Sequence, residues 1–151
     1  MTRYRSRFLI DIEPIWQTQP PLVTIVLDDH VAHHGIVPQA TQLMIDKELD
    51  SGWHDLAVIL GHKSDHDPVQ AVKIKNIKIN DITSAKFVWQ ARYRPDYPEP
   101  WASQQRQLGM DLPEEIGMTD YLGWNGRWNL RFSAPVFTWI HDIESLGWIY
   151  D

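Results

Sequence analysis

Trp53-His54-Asp55-Leu56-Ala57-Val58-Ile59-Leu60, entered through the turn signal Asp50-Ser51-Gly52, decides the fold. Leu56, Val58 and Leu60 share one face of an extended chain, while Ala57 and Ile59 share the other. Apolar residues on both faces suit a strand at the centre of a sheet. Upstream, Leu43, Ile45 and Leu49 alternate with Met44, Asp46 and Glu48, and Val23, Ile25 and Leu27 share one face of Leu22 to Leu27 before the turn at Asp28-Asp29. Downstream, the polar stretch from His62 to Pro68 is a loop, and Val72 to Ile79 resumes the sheet with a slipped phase. Val72 and Ile74 are even-numbered but Ile77 and Ile79 are odd, so one extra residue near Lys75-Asn76, a β-bulge, restores the inward register. Lys73, Lys75 and Lys78 then face outward.

From Arg94 to Pro113 periodicity is lost, and the chain predicts a long ordered excursion with one helical turn over Ser103 to Leu108. Trp128, Leu130, Phe132 and Ala134 then alternate with Asn129, Arg131 and Ser133 as a final strand. A short helix follows, with Thr138 as N-cap, Trp139, Ile140, Ile143 and Leu146 on one face and Gly147 as C-cap. Short alternating strands, turns and one late helix predict an all-β, single-domain, jelly-roll-like β-sandwich over residues 1–151, with a closed barrel as the nearest competitor.

The 151 residues suffice for one core, and a composition of 43% hydrophobic and 23% charged residues is that of a globular chain. A net charge of −6 argues against nucleic acid as partner. Arg3, Arg5 and Arg7 are a local exception, on one side of the first strand or on a frayed end, either solvated or meeting an acidic partner surface. The absence of cysteine excludes disulfides, zinc-thiolate sites and thiol nucleophiles. Phe8-Leu9-Ile10 is too short for a signal-peptide core, and no apolar run reaches membrane-spanning length, so synthesis in a cytoplasm is expected.

Six of the eight tryptophans follow residue 88. Trp128 and Trp139 fall in core phase, whereas Trp53 and Trp89 fit either core or surface. Tyr93, Tyr97, Trp101 and Trp124 sit beside proline and glycine in segments read as loops. Such rings supply contact area at low entropy cost and suit a partner protein or a sugar; alternatively they fasten the long excursion to its own sandwich. The candidate metal site is Asp65 and Asp67, whose one-residue gap lets two carboxylates converge on calcium, with Asp28, Asp29 or Asp81 completing an oxygen shell. The competing reading is an ordinary exposed turn. His30, His33, His34, His62 and His66 lack zincin spacing, His54 suits a structural hydrogen bond, and no serine elbow, P-loop or dinucleotide fingerprint occurs. No catalytic residue is assigned.

Leu49-Asp50-Ser51-Gly52-Trp53-His54-Asp55-Leu56-Ala57-Val58 followed by Val72-Lys73-Ile74-Lys75-Asn76-Ile77-Lys78-Ile79 resembles the strand rhythm of galactose-binding-like jelly rolls, which calcium-dependent xylan-binding modules share. Tyr93-Arg94-Pro95-Asp96-Tyr97-Pro98-Glu99-Pro100-Trp101, Gly123-Trp124-Asn125-Gly126-Arg127-Trp128 and Pro135-Val136-Phe137-Thr138-Trp139-Ile140-His141 resemble small proteins of tailed phages of the marine, T4-like group. The second resemblance implies a structural component of the virion, made in the host cytoplasm and present in multiple copies. It would decorate a head or join a tail or fibre by burying loop aromatics and the Trp139–Tyr150 segment against other virion proteins. The first implies the alternative, a carbohydrate-binding module for a surface glycan; its calcium ligands do not carry over by motif, so in that reading the residues singled out above serve, Tyr97, Trp101 or Trp124 stacking on sugar and Asp65 and Asp67 holding calcium.

Overall fold

Period-two burial carries the architecture. The computed structural model describes residues 2–63 and 67–145. The chain runs β1 (Arg3–Ile15), β2 (Leu22–Leu27), β3 (His30–Ile36), β4 (Thr41–Asp50), β5 (Gly52–Gly61) and β6 (Ala71–Ile79). The short β7 (Ile82–Thr83), helix α1 (Ala85–Gln90), β8 (Arg92–Pro95) and helix α2 (Trp101–Gln107) follow. Then come β9 (Ile116–Gly117), β10 (Tyr121–Leu122), β11 (Gly126–Ala134) and helix α3 (Val136–Ser145).

Among the described residues the strands form two antiparallel sheets, the layers of a β-sandwich. One has the order β10-β6-β1-β4, with β7 also on β6, and the other has β3-β2-β5-β11-β8-β9. Phe8, Ile10 and Ile12 of β1 point inward, as do Leu56, Val58 and Leu60 of β5 and Trp128, Leu130 and Phe132 of β11; all are at most 1% exposed. Phe8 meets Phe132 across the layers, with ring centroids 5.2 Å apart. Each such fully buried side chain contributes about 1.5–3 kcal/mol, so this facing row dominates the fold's stability.

β5 lies between β2 and β11, the central position its two apolar faces require. The phase slip in β6 is a bulge: Asp11 pairs with Asn76 but Ile12 pairs with Ile74, leaving Lys75 over. Trp128 and Trp139 are buried, while Trp53 and Trp89 are 60% and 53% exposed.

Three expectations need correction. Tyr93 lies on β8 rather than in a loop, because that strand pairs with β11 and turns the ring inward. The last helix starts at Val136, so Thr138 is inside it; Val136, Trp139, Ile140 and Ile143 make the buried stripe. Leu146, Gly147 and the segment through Tyr150 lie outside the described residues. α1 was not expected at all. It forms because the Ser84 hydroxyl caps it by accepting from Lys86 N–H, while Phe87 stacks on Trp139 at 5.7 Å. Of the two placements expected for Arg3, Arg5 and Arg7, the structure has the first: they stand on one side of β1, where Arg3 and Arg5 pair with Asp50 and Asp46 of β4.

Candidate functional site

Tyr97, Trp101 and Trp124 converge, although 27 residues separate the first from the last in sequence. Trp101 and Trp124 have ring centroids 4.7 Å apart, and Tyr97 stands edge-on to Trp124 at 5.7 Å. All three are half-buried. Trp101 is delivered by the first turn of α2. Trp124 is delivered by the turn into β11, held where Asn125 Oδ1 accepts from Lys63 N–H at 2.7 Å and Asp96 N–H donates to Asn125 O at 2.6 Å. Gly126 makes that turn close enough: a Cβ there would lie 2.4 Å from Arg94 O.

Tyr93 sits beneath the cluster, 1% exposed. Its hydroxyl donates to Trp124 O and accepts from Trp124 N–H at 3.1 Å. Burial pushes its pKa up to about 12, so it stays a neutral donor. Tyr93 is therefore the fastener of this loop, while Tyr97, Trp101 and Trp124 offer ring surface. Lys63 reaches over Trp124, its Nζ 4.9 Å from the ring centre, and donates to Gly123 O at 2.5 Å. Burial lowers the Lys63 pKa.

The cluster ends a run of depressions along the outer side of the six-stranded sheet. A small one of about 200 Å³ is lined by Tyr97, Asp96, Glu99 and Arg106. Asp96 also lines the next, about 560 Å³, with His62, Asn125, Arg94 and Arg127. Arg94 and Arg127 in turn line a groove of about 390 Å³ that reaches Arg131 and Asp55. Trp53 stands beyond that end, with the Arg131 guanidinium 5.3 Å from its ring centre. Sequence reasoning assigned none of these arginines. The available signal was phase: Arg127, Asn129 and Arg131 alternate with the core residues Trp128, Leu130 and Phe132.

Only one residue of the candidate metal pair, Asp67, lies among the described residues; Asp65 lies outside them. Asp67 is fully buried, its Oδ2 accepting from the backbone N–H of Gln17, Thr18 and Gln19 at 2.7, 2.8 and 3.0 Å. Burial alone would raise its pKa, but the N–H donors of Gln19, Gln17, Thr18 and Val69 outweigh that and hold it below the usual carboxylate range. This oxygen ties the 16–19 turn to the 67–70 turn and is committed to that task. Asp28 is likewise occupied, accepting from Asp55 N–H at 3.0 Å and from His54 Nδ1 at 2.7 Å. Among the described residues, no three His, Asp or Glu side chains are grouped to hold a metal. Of the expected pair, Asp67 thus gives one oxygen to the backbone while its buried Oδ1 has no hydrogen-bond partner among the described residues.

His54 is structural. Its Nε2 donates to Asp50 O at 2.7 Å while Nδ1 faces the Asp28 carboxylate, so both ring nitrogens act as donors. Burial alone would lower its pKa, but the Asp50 carbonyl and Asp28 carboxylate outweigh it and raise it. His30, His33 and His34 lie along the edge strand β3, where His34 Nδ1 meets Thr24 Oγ1 at 2.7 Å.

No family model and no curated protein matches the sequence. Two solved structures do share its shape. The selenomethionine form of vCBM60, described as linking two families of calcium-dependent carbohydrate binding modules, superposes with a TM-score of 0.56 at 10% identity, covering 83% of this chain and 89% of that one. vCBM60 in complex with galactobiose superposes with a TM-score of 0.53 at 10% identity, covering 82% and 96%. The chain shares the β-sandwich fold of these carbohydrate-binding modules.

Proposed function

We propose that the chain is a non-catalytic carbohydrate-binding domain that takes a glycan along the outer side of the six-stranded sheet. Tyr97, Trp101 and Trp124 supply the stacking surface at one end. The carrying observation is that cluster: three half-buried rings, two from the 97–101 segment and one from the turn into β11, tied down by Tyr93 and opening onto a continuous run of depressions. Aromatic faces contribute apolar area to a sugar's C–H face while neighbouring polar groups take its hydroxyls. The fold likeness to vCBM60, which has been seen with galactobiose, supports this choice over an assembly role. The virion role implied by resemblance of 93–101 and 123–128 draws no support from that likeness.

Affinity electrophoresis against a panel of neutral and acidic polysaccharides tests the proposal. Trp101→Ala is expected to weaken retardation by about tenfold, the scale of one lost stacking contact. Met44→Ala, exposed on the opposite sheet, is expected to leave it unchanged. Since Trp101 also packs on Trp124, Trp101→Phe serves as the variant that keeps the loop folded; it is expected to retain partial binding. Equal retardation of the wild type and both Trp101 variants would overturn the assignment of this cluster.

A further inference from the structure

The groove beyond the aromatic cluster has a chemistry of its own. Its floor is formed by out-facing residues of three neighbouring strands, Asp55 of β5, Arg127 and Arg131 of β11, and Arg92 and Arg94 of β8, with Glu115 at the rim. Four arginines thus stand against two carboxylates, on a chain whose net charge is −6. Glu115 already bridges two of them, Oε1 to Arg92 Nε at 3.6 Å and Oε2 to Arg94 Nε at 3.2 Å. Asp55 Oδ1 is engaged by Asn129 Nδ2 at 2.9 Å.

Arg127 and Arg131 are left without an ion pair among the described residues. Arg127 Nε reaches only Asn129 Oδ1 at 3.4 Å, and Arg131 lies under the exposed Trp53 ring. They are four residues apart on one strand, so their Cα atoms are about 13 Å apart on the same face. Guanidinium groups present a planar donor fork matched to a carboxylate. An exposed, regular row of them with an indole at its end suits a linear chain whose carboxylates recur along its length.

We infer that this groove selects an acidic polysaccharide, one whose uronate carboxylates pair with Arg127 and Arg131 while Trp53 stacks on a terminal ring. The inference rests on the carbohydrate-binding reading and narrows it to a ligand class. Glu115, bridging Arg92 and Arg94, shows the geometry in which a carboxylate sits in this groove. The β-sandwich fold shared with vCBM60, seen with galactobiose, favours a saccharide over a nucleic acid as the polyanion.

Calorimetric titration of the full chain tests this with four probes: a polygalacturonate oligomer, its methyl ester, a neutral galactan and a single-stranded oligonucleotide. Polygalacturonate is expected to bind at least tenfold more tightly than its methyl ester, with affinity falling as salt rises. In Arg127→Ala/Arg131→Ala that preference is expected to vanish, with galactan binding and Tm retained. Arg127→Lys/Arg131→Lys, which keeps the charge without the fork, is expected to recover only part of it. Equal binding of acid and ester, an unchanged preference in the double-alanine variant, or tighter binding of the oligonucleotide would each overturn the inference. If galactan binds in any of these cases, the carbohydrate reading survives alone. If no saccharide binds, both fail.

Discussion

The outer faces of the two sheets both carry arginines, but they are partnered differently. On the five-stranded sheet, Arg3 meets Asp50, Arg5 meets Asp46 and Lys75 meets Glu13 across adjacent strands. Three cations of that face are paired within the sheet, while Arg7, Lys73 and Lys78 have no ion pair among the described residues. On the six-stranded sheet, Arg92 and Arg94 share one glutamate, and Arg127 and Arg131 have no ion pair among the described residues. Arg131 does stand opposite Asp55 in the β11–β5 register, but that carboxylate is engaged by Asn129. The same sheet also carries the exposed Trp53 at one end of the groove and the half-buried aromatic cluster at the other.

Substitutions can break or sharpen this contrast. The largest effect is expected at Phe132, which joins the sheets by packing on Phe8 and Trp139. Phe132→Ala removes about 3–5 kcal/mol and lowers Tm by roughly 10 °C, and both faces lose their register together. Calorimetry checks this. A Tm within 2 °C of wild type, at the roughly 2–4 °C per kcal/mol of a domain this size, would show that the sheets are not coupled through this ring.

A smaller, pH-dependent effect is expected at His54, which clamps the β2–β3 turn to the end of β4 through Asp28 and Asp50. Its folded pKa is raised, so its contribution is complete below the unfolded value of about 6.5 and is lost as pH rises through the folded value. Tm should therefore decline from neutral into weakly alkaline buffer by a few degrees, and His54→Gln should flatten that slope. A wild-type slope that persists in the variant would assign the dependence elsewhere.

The smallest effect is expected at the exposed ion pairs of the five-stranded sheet. Arg3→Ala/Arg5→Ala breaks two exposed ion pairs and should move Tm by only about 1–2 °C, because solvent screens such pairs. It should leave polysaccharide affinity unchanged. A loss of binding there as large as in the Arg127/Arg131 pair would erase the distinction between the faces.

Much of the sandwich was legible because its strands obey a period of two. The central place of β5, the bulge at Lys75 and the burial of Trp128 all follow from counting phases along the chain. α1 was not legible: Ala85-Lys86-Phe87-Val88-Trp89-Gln90 is too short for helical periodicity to show, and its packing on α3 settles its form. The aromatic cluster was half legible. Composition singled out Tyr93, Tyr97, Trp101 and Trp124, but only the pairing of β8 with β11 separates the inward fastener from the three offered rings.

The role of Asp67 was not legible either. An Asp-rich polar loop looks the same in sequence whether its carboxylate faces a cation or the backbone, and here three N–H groups of the 16–19 turn claim its Oδ2. The arginine groove was illegible for a different reason. Its residues come from β5, β8 and β11, which neighbour one another in the sheet but not in the chain. Strand order, and not any local motif, assembles it.

The central claim is that the six-stranded sheet's outer side binds carbohydrate. The most direct test is chemical-shift mapping of the full chain titrated with polygalacturonate and with galactan. The account predicts shifts at the Trp53, Trp101 and Trp124 indoles and along Arg127–Arg131, with the β1 and β4 amides silent. Shifts confined to β1 and β4, or none with either saccharide, would contradict it.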